Sequence, residues 1–102
     1  MKDKVLNLLG IAKRAGKLTT GEEKTIESIR NQSAKLVFVA SDASNNTSKK
    51  VRDKCSYYNI PLIDKYSNME LSQATGASNR VALSIADSGF SRKMLELMEK
   101  GK

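Results

Sequence analysis

The run Leu36-Val37-Phe38-Val39-Ala40 is apolar throughout and is bounded by Lys35 on one side and by Ser41-Asp42 on the other. It is too short for a buried helix and rich in β-branched and aromatic residues. It is therefore predicted to be a central strand, apolar on both faces because helices cover each side. The sequence on either side supplies those helices. Upstream, Thr20-Gly21-Glu22-Glu23 reads as a capping box with Thr20 as N-cap and Glu23 at the third helical position. Ile26 and Ile29 give the helix that follows an apolar stripe, and it should end near Asn31-Gln32. Before it, Lys17 to Thr20 is expected to form an edge strand. Val5, Leu8, Leu9 and Ala12 recur at helical spacing, predicting a first helix over about residues 3 to 15, closed by Ala15-Gly16.

Downstream, Ser41 to Asn46 reads as a polar loop. Val51, Cys55 and Tyr58 then line one face of a third helix whose other faces carry Lys49, Lys50, Arg52 and Lys54. Pro61 leads into a short strand at Leu62-Ile63. Ser67-Asn68-Met69-Glu70 is a second capping box, opening a brief helix that should reach Ala74-Thr75 and stop at Gly76. Val81, Leu83 and Ile85 alternate with Ala82, Ser84 and Ala86, the pattern of a strand with one bulky and one small face. Asp87-Ser88-Gly89 caps a last helix with Phe90, Met94, Leu97 and Met98 on its buried side. The alternation predicts an α/β fold, a three-layer α/β/α sandwich with a small mixed four-stranded sheet, forming one domain over residues 1–102. Ligands of such sheets gather at the loops along one edge.

Composition narrows the function. The chain has 102 residues, one cysteine, no histidine and a net charge of +7. Without histidine the usual triads and zinc sites are excluded, and Cys55 has no base to activate it; the expectation is a small buried helix residue, no metal and no cofactor. Glu22 and Glu23 are adjacent on a helix and point apart, so they make a poor acid–base pair. No phosphate-binding glycine pattern occurs. The chain is thus expected not to be an enzyme and to have no small-molecule substrate. No apolar run is long enough to span a bilayer, and no signal-peptide cleavage region follows the first charged residues, so the expected location is cytoplasmic, with no membrane partner.

The positive charge points to a polyanion. It is uneven: residues 1–54 hold 12 Lys/Arg and 6 Asp/Glu, residues 55–102 hold 6 and 5. The anion-binding face should therefore be built mostly by the first half. Phe38 and Phe90 take core positions, leaving Tyr57, Tyr58 and Tyr66 as candidate surface rings, too few for a platform that stacks single strands. Folded RNA, recognised by shape and a few base contacts, is the better fit.

Three segments carry a family likeness: Thr19 to Thr25, Ala34 to Ser44, and Asn45-Asn46-Thr47-Ser48-Lys49-Lys50-Val51. With them the chain resembles, from Leu9 to about Leu97, the L-seven-Ae type of ribosomal protein, the kink-turn RNA-binding family. The resemblance implies the sandwich predicted above. It also implies an RNA site at the start of the second helix, beside the loop after the central strand and the loop before the last strand. The residues so implicated are Thr20, Gly21, Glu22, Glu23, Lys24 and Glu27; Asp42, Ser44, Asn45, Asn46, Lys49 and Lys50; and Gly76, Ala77, Ser78 and Arg80. Lys13, Arg14, Lys17 and Arg52 are expected to add phosphate contacts.

The family's kink-turn binders carry Gly-x-Asn-Glu-x-x-Lys where this chain has Gly21-Glu22-Glu23-Lys24-Thr25-Ile26-Glu27, so only the glycine matches. Their Leu-Gly-Arg-x-x-Gly loop reads here Leu71-Ser72-Gln73-Ala74-Thr75-Gly76. Glu23 can accept hydrogen bonds from guanine amino and imino groups, and Lys24 can donate to guanine O6 or N7. The expected partner is structured RNA, ribosomal RNA or a kink-turn-like bend. The competing expectation is a protein-interaction adaptor that kept the fold and lost the RNA site.

Overall fold

The computed structural model describes residues 3–100 and orders them as α1 (Lys4–Arg14), β1 (Leu18–Thr20), α2 (Glu22–Arg30), β2 (Leu36–Val39), α3 (Asn45–Tyr58), β3 (Leu62–Ile63), α4 (Asn68–Thr75), β4 (Ala82–Ile85) and α5 (Ser88–Lys100). The sheet runs β1-β4-β2-β3, with β1 and β2 antiparallel to β4 and β3 parallel to β2. β1 is an edge strand, as its short β-branched sequence predicts.

All four residues of β2 are buried. Alternate side chains serve opposite faces, as the pleat requires. Leu36 and Phe38 join Leu83 and Ile85 under α1, α4 and α5, packing with Leu9, Leu71 and Met94, whereas Val37 and Val39 join Ile29, Val51 and Cys55 under α2 and α3. This is the predicted three-layer sandwich. Full burial of each large aliphatic or aromatic side chain contributes about 1.5–3 kcal/mol, so a strand buried on both faces anchors two cores at once.

The small face of β4 has a structural purpose. Ala82 and Ser84 lie beneath α2, where the Ser28 and Ser84 hydroxyl oxygens are 2.8 Å apart. The Ser28 hydroxyl donates to the Thr25 carbonyl at 2.6 Å, so the Ser84 hydroxyl is the donor of the pair. Both hydroxyls are buried and both are satisfied, which avoids the desolvation penalty of an orphaned polar group.

Two expectations are corrected. Thr20 does not cap α2. It is the last residue of β1, paired with Leu83, and its extended backbone is committed to the sheet. The N-cap is Gly21, at φ 99° and ψ 147°, with no side-chain cap bond. That left-handed φ is one glycine tolerates and β-branched residues do not. By contrast, the Ser67–Glu70 capping box forms completely, with Glu70 N donating to Ser67 Oγ and Ser67 N to the Glu70 carboxylate.

Tyr66 is not a surface ring. It is 2% exposed, and its hydroxyl donates to the Asp3 carboxylate at 2.9 Å. Asp3 is also the N-cap of α1, accepting from Val5 N and Leu6 N. Burial, reinforced by the Asp3 contact, pushes the Tyr66 phenol well above its usual range. Tyr57 is 80% exposed and Tyr58 half-buried, so the surface aromatic platform is smaller still. Phe90 is half-buried against the core. No described helix is long and apolar enough to cross a membrane.

Candidate functional site

Backbone pairing brings three segments to one end of the sheet. Gly21 N donates to the Ala82 carbonyl at 3.1 Å, and Ala40 N donates to the Val81 carbonyl at 2.8 Å. The α2 start, the loop after β2 and the loop before β4 are therefore neighbours, as the family resemblance implies. A shallow open groove there is lined by Thr20, Gly21, Glu22, Glu23, Lys24 and Arg80. Because Gly21 offers no side-chain cap, the first N–H groups of α2 have no side-chain acceptor. Arg80 is half-buried, and its Nε is buried with no hydrogen-bond partner among the described residues. A buried donor left unpaired costs about 1–3 kcal/mol, which favours an acceptor from outside the chain.

The groove wall is held by α3. Ser44 is the α3 N-cap, accepting from Thr47 N at 3.2 Å and donating to Thr47 Oγ1 at 3.1 Å. The Thr47 hydroxyl in turn donates to Glu22 Oε1 at 2.5 Å, and Lys50 Nζ lies 3.4 Å from Glu22 Oε2. The Thr47 bond, helped by Lys50 and opposed by partial burial, holds the Glu22 carboxyl below the usual glutamate range. Glu22 is thus bound up within the protein, and Glu23 is the exposed carboxylate at the groove. Lys50 is half committed to Glu22, while Asn45, Asn46 and Lys49 stay exposed on the first turns of α3. Glu27 lies farther along α2, lining a second groove with Arg30, Lys50 and Lys54.

The other wall is organised by Asn68, which sequence reasoning missed. Its backbone N–H donates to Asp42 Oδ1 at 2.9 Å and its Nδ2 to Asn79 Oδ1 at 3.0 Å. Its Oδ1 accepts from Ser72 Oγ at 2.9 Å and from Arg80 N at 3.1 Å. Arg80 N also reaches Ser72 Oγ at 2.9 Å. One residue, through its backbone N–H and its side-chain amide, therefore joins the loop after β2, the α4 N-terminus and the loop before β4. The capping box locates Asn68 in α4, but no local signal says that its side chain reaches residues ten or more positions away.

Not every expected residue joins this groove. Ser78 is exposed on the loop leading to Asn79 and Arg80, and Ala77 is half-buried there, its N–H donating to the Ser72 carbonyl at 2.9 Å. Gly76 lies instead with Lys13 and Arg14, in a cleft between α1 and α4 where Gly10 faces Ala74. Lys17 is at the far end of β1, its carbonyl accepting from Ala86 N at 3.1 Å. Arg52 pairs with Asp64 at 2.6 Å on the outer side of α3. Lys13, Arg14 and Lys17 therefore lie away from Lys24 and Arg80 of the groove.

Burial pushes the Cys55 thiol up to about 11, the reverse of an activated nucleophile. Among the described residues no three metal-ligating side chains cluster.

A family model, described as the ribosomal protein L7Ae/L30e/S12e/Gadd45 family, matches residues 3–95. The chain belongs to this family. Within it, the chain is 53% identical over 98 residues to the "RNA-binding protein YlxQ" of Enterococcus faecium, covering 96% of this chain and 94% of that protein. It is 45% identical over 92 residues to the Bacillus subtilis protein of the same name, covering 90% and 92%. The "large ribosomal subunit protein eL30" of Tetrahymena thermophila is 35% identical over 96 residues, with 88% of each chain covered. Among solved structures, a protein of unknown function from Bacillus halodurans superposes with a TM-score of 0.92 at 41% identity, over 96% of this chain and 99% of that one. A 15.5kD RNA-binding protein from Giardia lamblia shares the fold, with a TM-score of 0.77 at 21% identity over 94% and 82%. The predicted α/β sandwich of this family is the fold observed.

Proposed function

We propose that the chain is a non-catalytic, cytoplasmic protein that binds structured RNA, ribosomal RNA or a kink-turn-like bend, at the Gly21–Arg80 groove. The observation that carries this reading is the convergence of three loop segments on one groove lined by Lys24 and Arg80, with uncapped helix N–H groups between them. Such N–H groups receive phosphate or base oxygens. Lys24 and the Arg80 guanidinium supply donors for phosphate or for guanine O6 and N7, and the exposed Glu23 supplies an acceptor for guanine amino and imino groups. Relatives named for RNA binding, at up to 53% identity, support the same ligand class. Asp42, Ser44, Asn68 and Thr47 do not contact the ligand in this reading; they fix the walls. Asn45, Asn46, Lys49 and Lys50 meet the flanking backbone.

The test is a titration with a kink-turn RNA and with the same stem lacking the bulge. The unaltered chain binds the folded RNA, and Glu23→Asn with Lys24→Glu raises its preference for the kink-turn. An unchanged preference would overturn the mapping of the motif. Absence of binding to either RNA would favour the adaptor instead.

A further inference from the structure

The basic residues of the first half do not all gather at the Gly21 groove. The Gly21 groove is lined by Lys24 and Arg80 against Glu22 and Glu23, with Lys50 paired to Glu22, so its charge is close to balanced. The basic excess collects at the opposite end of the sheet. Lys17 and Lys35 flank the end of β4 there, Lys17 O accepting from Ala86 N at 3.1 Å and Lys35 N donating to Ile85 O at 2.7 Å. Lys13 and Arg14 join Lys17 through the Ala15–Gly16 turn, and Arg30 closes α2 shortly before Lys35. All five cations are exposed, and among the described residues none forms an ion pair. Nearby acids do little to offset them: Asp87 is half-buried and caps α5 through Phe90 N at 2.8 Å, leaving Glu27.

Favourable interaction with helix C-termini accounts for Lys13, Arg14 and Arg30. It does not account for Lys17 and Lys35, which lie outside helices and form no ion pair among the described residues. Nor can these two lysines assist the groove through space. From Lys17 to Gly21 is about 13 Å of extended chain, at roughly 3.3 Å per residue. The screening length at physiological salt is about 8 Å. If they meet phosphate, it is a separate stretch of phosphate.

We propose that the Lys13–Arg14–Lys17–Arg30–Lys35 end is a second phosphate-contacting surface, so that the protein grips two backbone segments of one folded RNA from opposite ends of its sheet. This rests on the RNA-binding reading above. The groove end supplies base and bend recognition; the far end supplies sequence-independent electrostatic attachment.

The test compares the unaltered chain, Lys17→Ala with Lys35→Ala, and Lys24→Ala with Arg80→Ala, each titrated across a KCl series. The RNAs are a bend flanked by long stems and the same bend with stems cut short. For the long-stem RNA, the Lys17/Lys35 variant is expected to flatten the log–log salt slope by about 1.4–1.8, the loss of two phosphate contacts, with its preference for bent RNA intact. Shortening the stems weakens the unaltered chain more than it weakens this variant, which keeps only Lys13, Arg14 and Arg30 at that end. The Lys24/Arg80 variant loses the preference for the bend. An unchanged slope and affinity in the Lys17/Lys35 variant would overturn the proposal while leaving the groove reading standing. An unchanged slope together with loss of binding to polyglutamate would overturn it in favour of an acidic protein partner. If the unaltered chain binds neither RNA, the underlying reading has failed.

Discussion

The Thr47 hydroxyl donates to Glu22 at 2.5 Å, tying the first turn of α2 to the first turn of α3 across 25 residues of sequence. This bond and the Lys50 contact set the angle between two walls of the candidate RNA site. They also remove Glu22 from the set of free negative charges at the groove.

A pH dependence follows from Glu22. Its folded carboxyl ionises more readily than an unfolded one, so the stabilisation is fully present above the ordinary glutamate range. It is lost as pH falls through the lower, folded value. In acid unfolding curves, Glu22→Gln should therefore narrow the stability gap between neutral pH and about pH 3 relative to the unaltered chain. Thr47→Val should cost about 0.5–1.5 kcal/mol at neutral pH. Identical pH profiles for the chain and the Gln variant would contradict this role.

Asn68 is expected to matter for binding more than for folding. Asn68→Ala removes the acceptor for Arg80 N and the donor to Asn79, though Ser72 still supports Arg80 N. The expected loss of stability is about 1–2 kcal/mol, with RNA affinity reduced even where the variant is fully folded. Calorimetry and RNA titration on the same sample separate the two effects. Affinity unchanged in the folded variant would show that the loop needs no such tether.

Asp3 and Tyr66 form the link between the start of α1 and the core. Asp3→Ala takes away a helix cap and leaves the buried Tyr66 hydroxyl without its carboxylate acceptor. Thermal or urea unfolding should show a loss of about 2–4 kcal/mol, combining cap and buried hydrogen bond. Tyr66→Phe should cost less, because it removes the hydroxyl together with its need for a partner. An equal or greater loss in the Phe variant would contradict this account of the pair.

Local signals predicted the layers and most element ends. The apolar run at Leu36–Ala40, the alternation in Val81–Ile85 and the Ser67–Glu70 box each depend on neighbours within one turn or one pleat. The Thr20 box failed for a tertiary reason. Strand pairing to Leu83 and the Gly21-to-Ala82 bond fix that backbone, so the cap geometry is not available to Thr20. Tyr66 was likewise illegible, because its burial depends on α1 closing over it. The three candidate-site segments could be named from the family resemblance, but not Asn68, whose backbone N–H and side chain together join two of them. Lys13, Arg14 and Lys17 precede the α2 start closely in sequence, yet the extended β1 carries the chain from their end of the sheet to the other.

RNA binding itself is tested most directly by equilibrium titration of the unaltered chain with a structured, bend-containing RNA over a range of KCl concentrations. The account predicts saturable binding whose log affinity falls linearly and steeply with log salt, by about 0.7–0.9 per phosphate contact. A slope near zero, or no binding at moderate salt, would contradict it.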